Sequence, residues 1–170
     1  TNFTGATDVA FNGTSAITFT VVSSTQIDAT VPTGATTGLI EVTTPDGNDF
    51  SASNFSVTPD VQSFAPSTEQ IGFPVVLTGV SFTGATSVTF NGTSASFTVD
   101  SDIQITATVP AGTTDGMITV TTPSGSGTSS TSFGVEPDVT GFAPSSGIAG
   151  TSIVITGTGF TGTTFVSFNG

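Results

Sequence analysis

Three near-copies of one phrase constrain this chain more than any other feature of it. Phe82-Thr83-Gly84-Ala85-Thr86-Ser87-Val88-Thr89-Phe90-Asn91-Gly92-Thr93 has relatives at residues 3–14 and 160–170. Phe3 returns as Phe82 and Phe160, and the Phe-Asn-Gly of 11–13 returns at 90–92 and 168–170, a spacing of 78 or 79 residues. A period that long means one small domain per repeat. Inside the phrase, Val88 and Phe90 alternate with Thr, the pattern of a strand with one buried face, and Asn91-Gly92 supplies the two positive-φ positions of a tight hairpin.

The rest of the chain reads the same way. In 1–58, strands are expected around Phe11, around Phe19 and Val21, through Ile27, Ala29 and Val31, through Ile40 and Val42, and at Phe55 and Val57. Residues 59–136 form the whole repeat, with seven strands: Val61–Phe64, Val75–Leu77, the central phrase, Phe97–Val99, Ile103–Val109, Ile118–Val120 and Phe133–Val135. Pro110-Ala111-Gly112 and Pro123-Ser124-Gly125-Ser126-Gly127 are expected as turns. Residues 137–170 start a further repeat: Phe142-Ala143-Pro144 matches Phe64-Ala65-Pro66, and Ile153 and Ile155 match Val75 and Leu77. Period-2 alternation bounded by turn residues, with no helical period, predicts an all-β fold of tandem antiparallel sandwiches. The joints, Pro59-Asp60 and Pro137-Asp138, pass from last strand to next first strand without a Gly/Ser tract, and proline fixes φ at each crossing. Stiff corners predict a rod. If the tail of one molecule completed the head of another, two copies of the central strand would compete for one slot, so continuation of the array is the simpler expectation.

Composition narrows the function. Lys, Arg and His are absent, as are Cys, Trp and Tyr, and twelve Asp and Glu give a net charge of −12. Nucleic-acid binding needs cations to displace counterions from phosphate, and attraction to an anionic lipid surface needs them too. Without thiol or imidazole, the common nucleophilic triads and zinc sites have no ligands, and no enzyme activity or cofactor is expected. Thr and Ser make up 59 of 170 residues, so the expected surface is hydroxylated rather than ionic. No apolar run approaches the roughly 20 residues of a membrane helix.

Pro59-Asp60-Val61 with Phe64-Ala65-Pro66, Val75 to Gly79, Phe82, Gly84-Ala85-Thr86, Val88 to Gly92, Ile105 to Pro110 and Gly116 to Val120 together resemble the IPT/TIG domain. The resemblance covers one whole repeat and most of two partial ones. It implies an immunoglobulin-like sandwich, and of the settings in which the family occurs, tandem arrays in microbial surface proteins suit a chain without basic loops. The accessory domains of starch-acting enzymes fit less well, because no Trp or Tyr offers a platform for sugar.

Candidate modification sites are the Asn-x-Ser/Thr triplets at Asn2, Asn12, Asn54 and Asn91. Asn12 and Asn91 sit at hairpin tips, which are exposed, although Asn-Gly is also the preferred turn in its own right. Outward Thr106, Thr108, Thr119 and Thr121 are candidates for O-linked sugar, which would shield sheet edges from lateral association. Asp46 with Asp49, Asp60, Asp100 with Asp102, and Asp138 show no calcium-loop spacing and are expected to be solvated. The chain is thus expected to be a structural segment of an extracellular or cell-surface filament, glycosylated, with copies of itself as partners. The alternative is an adhesin or an accessory binding module whose ligand-contacting or catalytic domain is a separate one.

Overall fold

The computed structural model describes residues 2–168, so Asn169 and Gly170 of the third Phe-Asn-Gly lie outside the described residues. Eighteen strands and no helix occur among the described residues. The first unit holds β1 (Asp8–Phe11), β2 (Thr14–Ser15), β3 (Phe19–Ser23), β4 (Gln26–Ala29), β5 (Ile40–Thr44) and β6 (Gly47–Phe50). The middle unit holds β7 (Asp60–Ala65), β8 (Thr68–Glu69), β9 (Pro74–Val80), β10 (Ser87–Phe90), β11 (Thr93–Ser94), β12 (Phe97–Ser101), β13 (Gln104–Thr108), β14 (Ile118–Thr122), β15 (Gly125–Thr128) and β16 (Gly134–Val135). The tail holds β17 (Asp138–Ala143) and β18 (Val154–Thr158).

Two four-stranded sheets, ordered β12-β13-β9-β7 and β11-β10-β14-β15, close the middle unit into a sandwich. Alternation does the work: Val75 and Leu77 of β9, Ile105 and Ala107 of β13, Val88 and Phe90 of β10, and Ile118 and Val120 of β14 all point into one core. Phe90 meets Phe133 edge to face at 5.0 Å between ring centres, and Phe64 meets the same Phe133 at 6.1 Å. The Asn-Gly turns form as two-residue hairpins, Asn91 at φ 45° and Gly92 at φ 83°, closing Phe90 on Thr93. Asn12 and Gly13 do the same in the first unit at φ 44° and 83°. The peptide bonds before Pro66 and Pro144 are cis.

Three local expectations are corrected. Gly125, Ser126 and Gly127, read as part of a turn, instead form edge strand β15 on β14 together with Thr128, and 47–50, for which no strand is expected, form β6 on β5. Their Gly, Ser and Asn content hid them, since an edge strand needs backbone pairing and little side-chain burial. The expected strand at Phe55 and Val57 is reduced to a single bridge, Gly38 to Phe55. The tail copy of the central phrase has no strand at 163–168, whereas its counterparts β1 and β10 are paired to β5 and β14.

The candidate functional site, a joint between sandwiches

In a chain without thiol or imidazole, the constructed feature is the passage from one unit to the next. Thr37 stands at its centre. Its Oγ1 accepts the Val57 backbone N–H at 2.9 Å and is hydrogen-bonded to the Ser124 Oγ at 2.8 Å, so one hydroxyl ties the end of the first unit to the β14–β15 turn of the second. Pro59 is buried where the strands change over, while Asp60 is exposed and begins β7. Bare glycines let the backbones close up. A Cβ on Gly127 would strike the Pro59 carbonyl, and one on Gly79 would strike the Asp60 carbonyl and the Phe82 ring. A recess of about 200 Å³ remains between the units, bordered by Thr36, Thr37, Val57, Thr83, Pro123 and Ser124.

The second joint uses related parts. Asp115 occupies the place of Thr37, its Oδ1 accepting the Val135 N–H at 2.8 Å. Gly134 and Glu136 donate their N–H groups to Ser67 and Glu69 carbonyls, and Thr68 Oγ1 donates to the Glu136 carboxylate, which fixes the departing strand beside β8. Pro137 is exposed and Asp138 half-buried, and Gly157 faces the Asp138 carbonyl as Gly79 faces that of Asp60. Thr37 and Asp115 escaped sequence reasoning. Their only signal is an oxygen-bearing side chain immediately before Gly38 and Gly116, and a Thr/Asp interchange there conceals the shared acceptor role.

The four Asn candidates lie apart and are all exposed. Asn91 Nδ2 donates to Thr114 Oγ1 at 2.8 Å, and Asn12 Nδ2 donates to Thr36 Oγ1 at 2.8 Å and to the Thr37 carbonyl at 3.3 Å. Gly116 and Gly38 make room for those two side chains, so each clamps its hairpin tip against the next loop. Asn2 Oδ1 accepts the Thr4 N–H. Thr119 Oγ1 and Thr128 Oγ1 lie 3.0 Å apart, and Thr121 Oγ1 and Ser126 Oγ lie 2.9 Å apart, forming two hydroxyl rungs on the outer face of β14 and β15. The acids are engaged singly: Asp100 accepts from Thr106 Oγ1 and Asp102 from the Thr83 N–H. Among the described residues no group of three or more possible metal ligands comes together, and no helix is long and apolar enough to cross a membrane.

Fold and joint define an immunoglobulin-like, all-β module. The family model of the IPT/TIG domain matches residues 59–135, which span the middle unit. A search of the curated proteins gives no match. Among solved structures, an auxiliary nutrient binding protein from Bacteroides ovatus is similar at 20% identity and TM-score 0.45 over 48% of this chain and 22% of that one. A surface glycan-binding protein of Prevotella bryantii is similar at 21% and 0.43, over 78% of this chain and 34% of its own. SGBP-B from a xyloglucan utilization locus of Bacteroides uniformis follows at 19% and 0.40, over 75% and 41%. The chain thus spans well under half the length of each.

Proposed function

We propose that this chain is a spacer: a segment of an extracellular or cell-surface filament or stalk in which immunoglobulin-like sandwiches follow one another head to tail. The joint carries this reading. The chain enters the middle unit at the start of β7, against β15, and leaves beside β8, which follows the far end of β7, and entry and exit at different ends support a head-to-tail order. Each unit of such a rod extends roughly 40 Å, from strands of about six residues plus loops. Electron microscopy of the secreted protein is expected to show extended rods or filaments, and compact particles would overturn the reading. Covalent sugar on the outward Thr hydroxyls or the Asn-x-Ser/Thr triplets would shield the poorly charged surface. An intact mass above 16.8 kDa per chain is the expected result, and a bare mass would remove this part.

One observation favours a second reading, a binding module of a surface protein. Phe50 on β6 is 53% exposed, lies across from Glu41 on β5, and shares that outer face with Asn48, whose amide donates to the Glu41 carboxylate. An exposed ring bordered by acceptors and donors is the chemistry of a saccharide contact. Calorimetric titration with glucan oligosaccharides distinguishes the readings: heat that disappears in Phe50→Ala supports the module, and no heat leaves the spacer.

A further inference from the structure

The middle unit, which holds both of its joints, carries its first and last strands side by side. β8, which continues β7 beyond Pro66, pairs in parallel with β16, whereas the sheet pairs of β7 and of β9 to β15 are antiparallel. That direction matters because the chain is tied upstream of β8, through β7 and Pro59, and downstream of β16, through Glu136 and Pro137. Tension along the chain draws β8 backward and β16 forward. The two strands are then pulled past one another along their length, so the bonds between them are loaded together, whereas strands parted from one end lose their bonds one at a time.

The pair is fastened beyond its short length. Gly134 donates its N–H to the Ser67 carbonyl at 3.0 Å and Glu136 donates to the Glu69 carbonyl at 2.9 Å, one bond at either end. Thr68 Oγ1 reaches across to the Glu136 carboxylate, and a Cβ on Gly134 would come within 2.9 Å of Thr68 Cγ2, so the strands lie close. On its other side the last strand is held by the Val135 N–H to Asp115 Oδ1 bond at 2.8 Å and by two backbone bonds between Phe133 and Gly116 at 2.8 and 3.0 Å. The Phe133 ring is 1% exposed and meets Phe64 of β7 and Phe90 of β10, so the strand cannot slip without drawing that ring from the core. We propose that β8 and β16, anchored by Phe133, form a shear clamp that gives the unit resistance to tension passed from joint to joint. The inference rests on the spacer reading, since a unit tied to neighbours at both ends receives tension in this direction.

The test uses the full 170-residue chain, which has no cysteine, so a pair of introduced thiols gives the only attachment points for single-molecule pulling. Thr58→Cys with Pro137→Cys draws β8 and β16 past one another; Gln70→Cys with Pro137→Cys parts the same strands from one end. At one fixed force the first geometry is expected to give the middle unit a lifetime at least about tenfold longer, since forced unfolding follows the unfolding rate and several bonds must break together. Thr68→Val keeps the side-chain shape, removes the bond to Glu136, and is expected to shorten that lifetime by about two- to tenfold. Thr106→Val removes a similar exposed bond, to Asp100 at 2.7 Å, between strands outside the tensioned pair, and is expected to leave the lifetime unchanged. Equal lifetimes in the two geometries, or equal effects of Thr68→Val and Thr106→Val, would sink the clamp. Extended rods in electron microscopy alongside such a failure would leave the spacer reading standing, because a unit can set a distance without resisting a pull.

Discussion

The middle unit and the two partial units are written in nearly the same residues, yet burial separates them sharply. Val61 is 2% exposed and its counterpart Val139 is 60%; Phe133 is 1% exposed and Phe55 is 37%. Nothing in the side chains accounts for the gap. The difference lies in how many strands each sandwich has assembled, which teaches that in this fold apolar residues are buried by the opposing sheet rather than by their own strand. An all-β unit of this size has little surplus core, so the six strands described in the first unit and the two in the tail leave an open face that the ten of the middle unit close.

The comparison breaks most visibly at Phe90 and Phe11. Phe90 is fully buried against Phe133, and Phe90→Ala is expected to cost about 3–5 kcal/mol in denaturant unfolding of the middle unit. Phe11→Ala removes a ring that is also buried but rests on the half-exposed Phe55 at 5.3 Å, and its cost is expected to be clearly smaller. Equal losses at the two sites would mean that the first unit is as complete as the second. The pair Val61→Ala and Val139→Ala sharpens the point: about 1.5–3 kcal/mol for the first by lost burial, and within about 0.5 kcal/mol for the second.

Gly116→Ala and Gly38→Ala probe something the units share. A Cβ at either glycine would collide with the Asn91 or Asn12 side chain clamped over it. Each is expected to cost about 1–3 kcal/mol through overpacking and loss of the hairpin-tip hydrogen bond. Amide exchange at residues 90–94 for Gly116→Ala, and at 11–15 for Gly38→Ala, is the direct readout; unchanged protection would show that the clamp contributes nothing.

The sandwich was legible because its information is local. Alternating Val88 and Phe90, Ile105 and Ala107, and Ile118 and Val120 declare one buried face each, and Asn91-Gly92 declares its turn. β15 was not legible, because Gly125, Ser126, Gly127 and Thr128 carry no apolar alternation and the strand exists through backbone pairing to β14. The Pro-Asp joints were visible as punctuation. What holds them was not, since the bond from Thr37 to Ser124 joins residues 87 positions apart and depends on how two finished units meet. Likewise the Asn-Gly-Thr triplets read as sugar acceptors, while the long-range partners of the Asn amides, Thr36 and Thr114, emerge only once the loops are in place.

The smallest expected effect tests whether the joint couples the units at all. Ser124→Ala removes the inter-unit hydrogen bond and leaves Thr37 with Val57, and it is expected to lower stability by no more than about 0.5–1.5 kcal/mol. Thr37→Val removes both bonds at nearly constant volume, so its larger cost includes an unmet Val57 N–H inside the first unit. The double variant separates the two contributions: if Thr37 and Ser124 interact across the joint, the combined loss falls short of the sum of the single losses. The informative measurement is orientational, such as residual dipolar couplings compared between units. A stiff corner held by this bond loses its single relative orientation in Ser124→Ala while each sandwich keeps its own amide protection. If the orientation persists, the corner is held by Pro59 packed against β15 with Gly127 beneath it, and the hydroxyl bridge is a consequence of that packing rather than its cause.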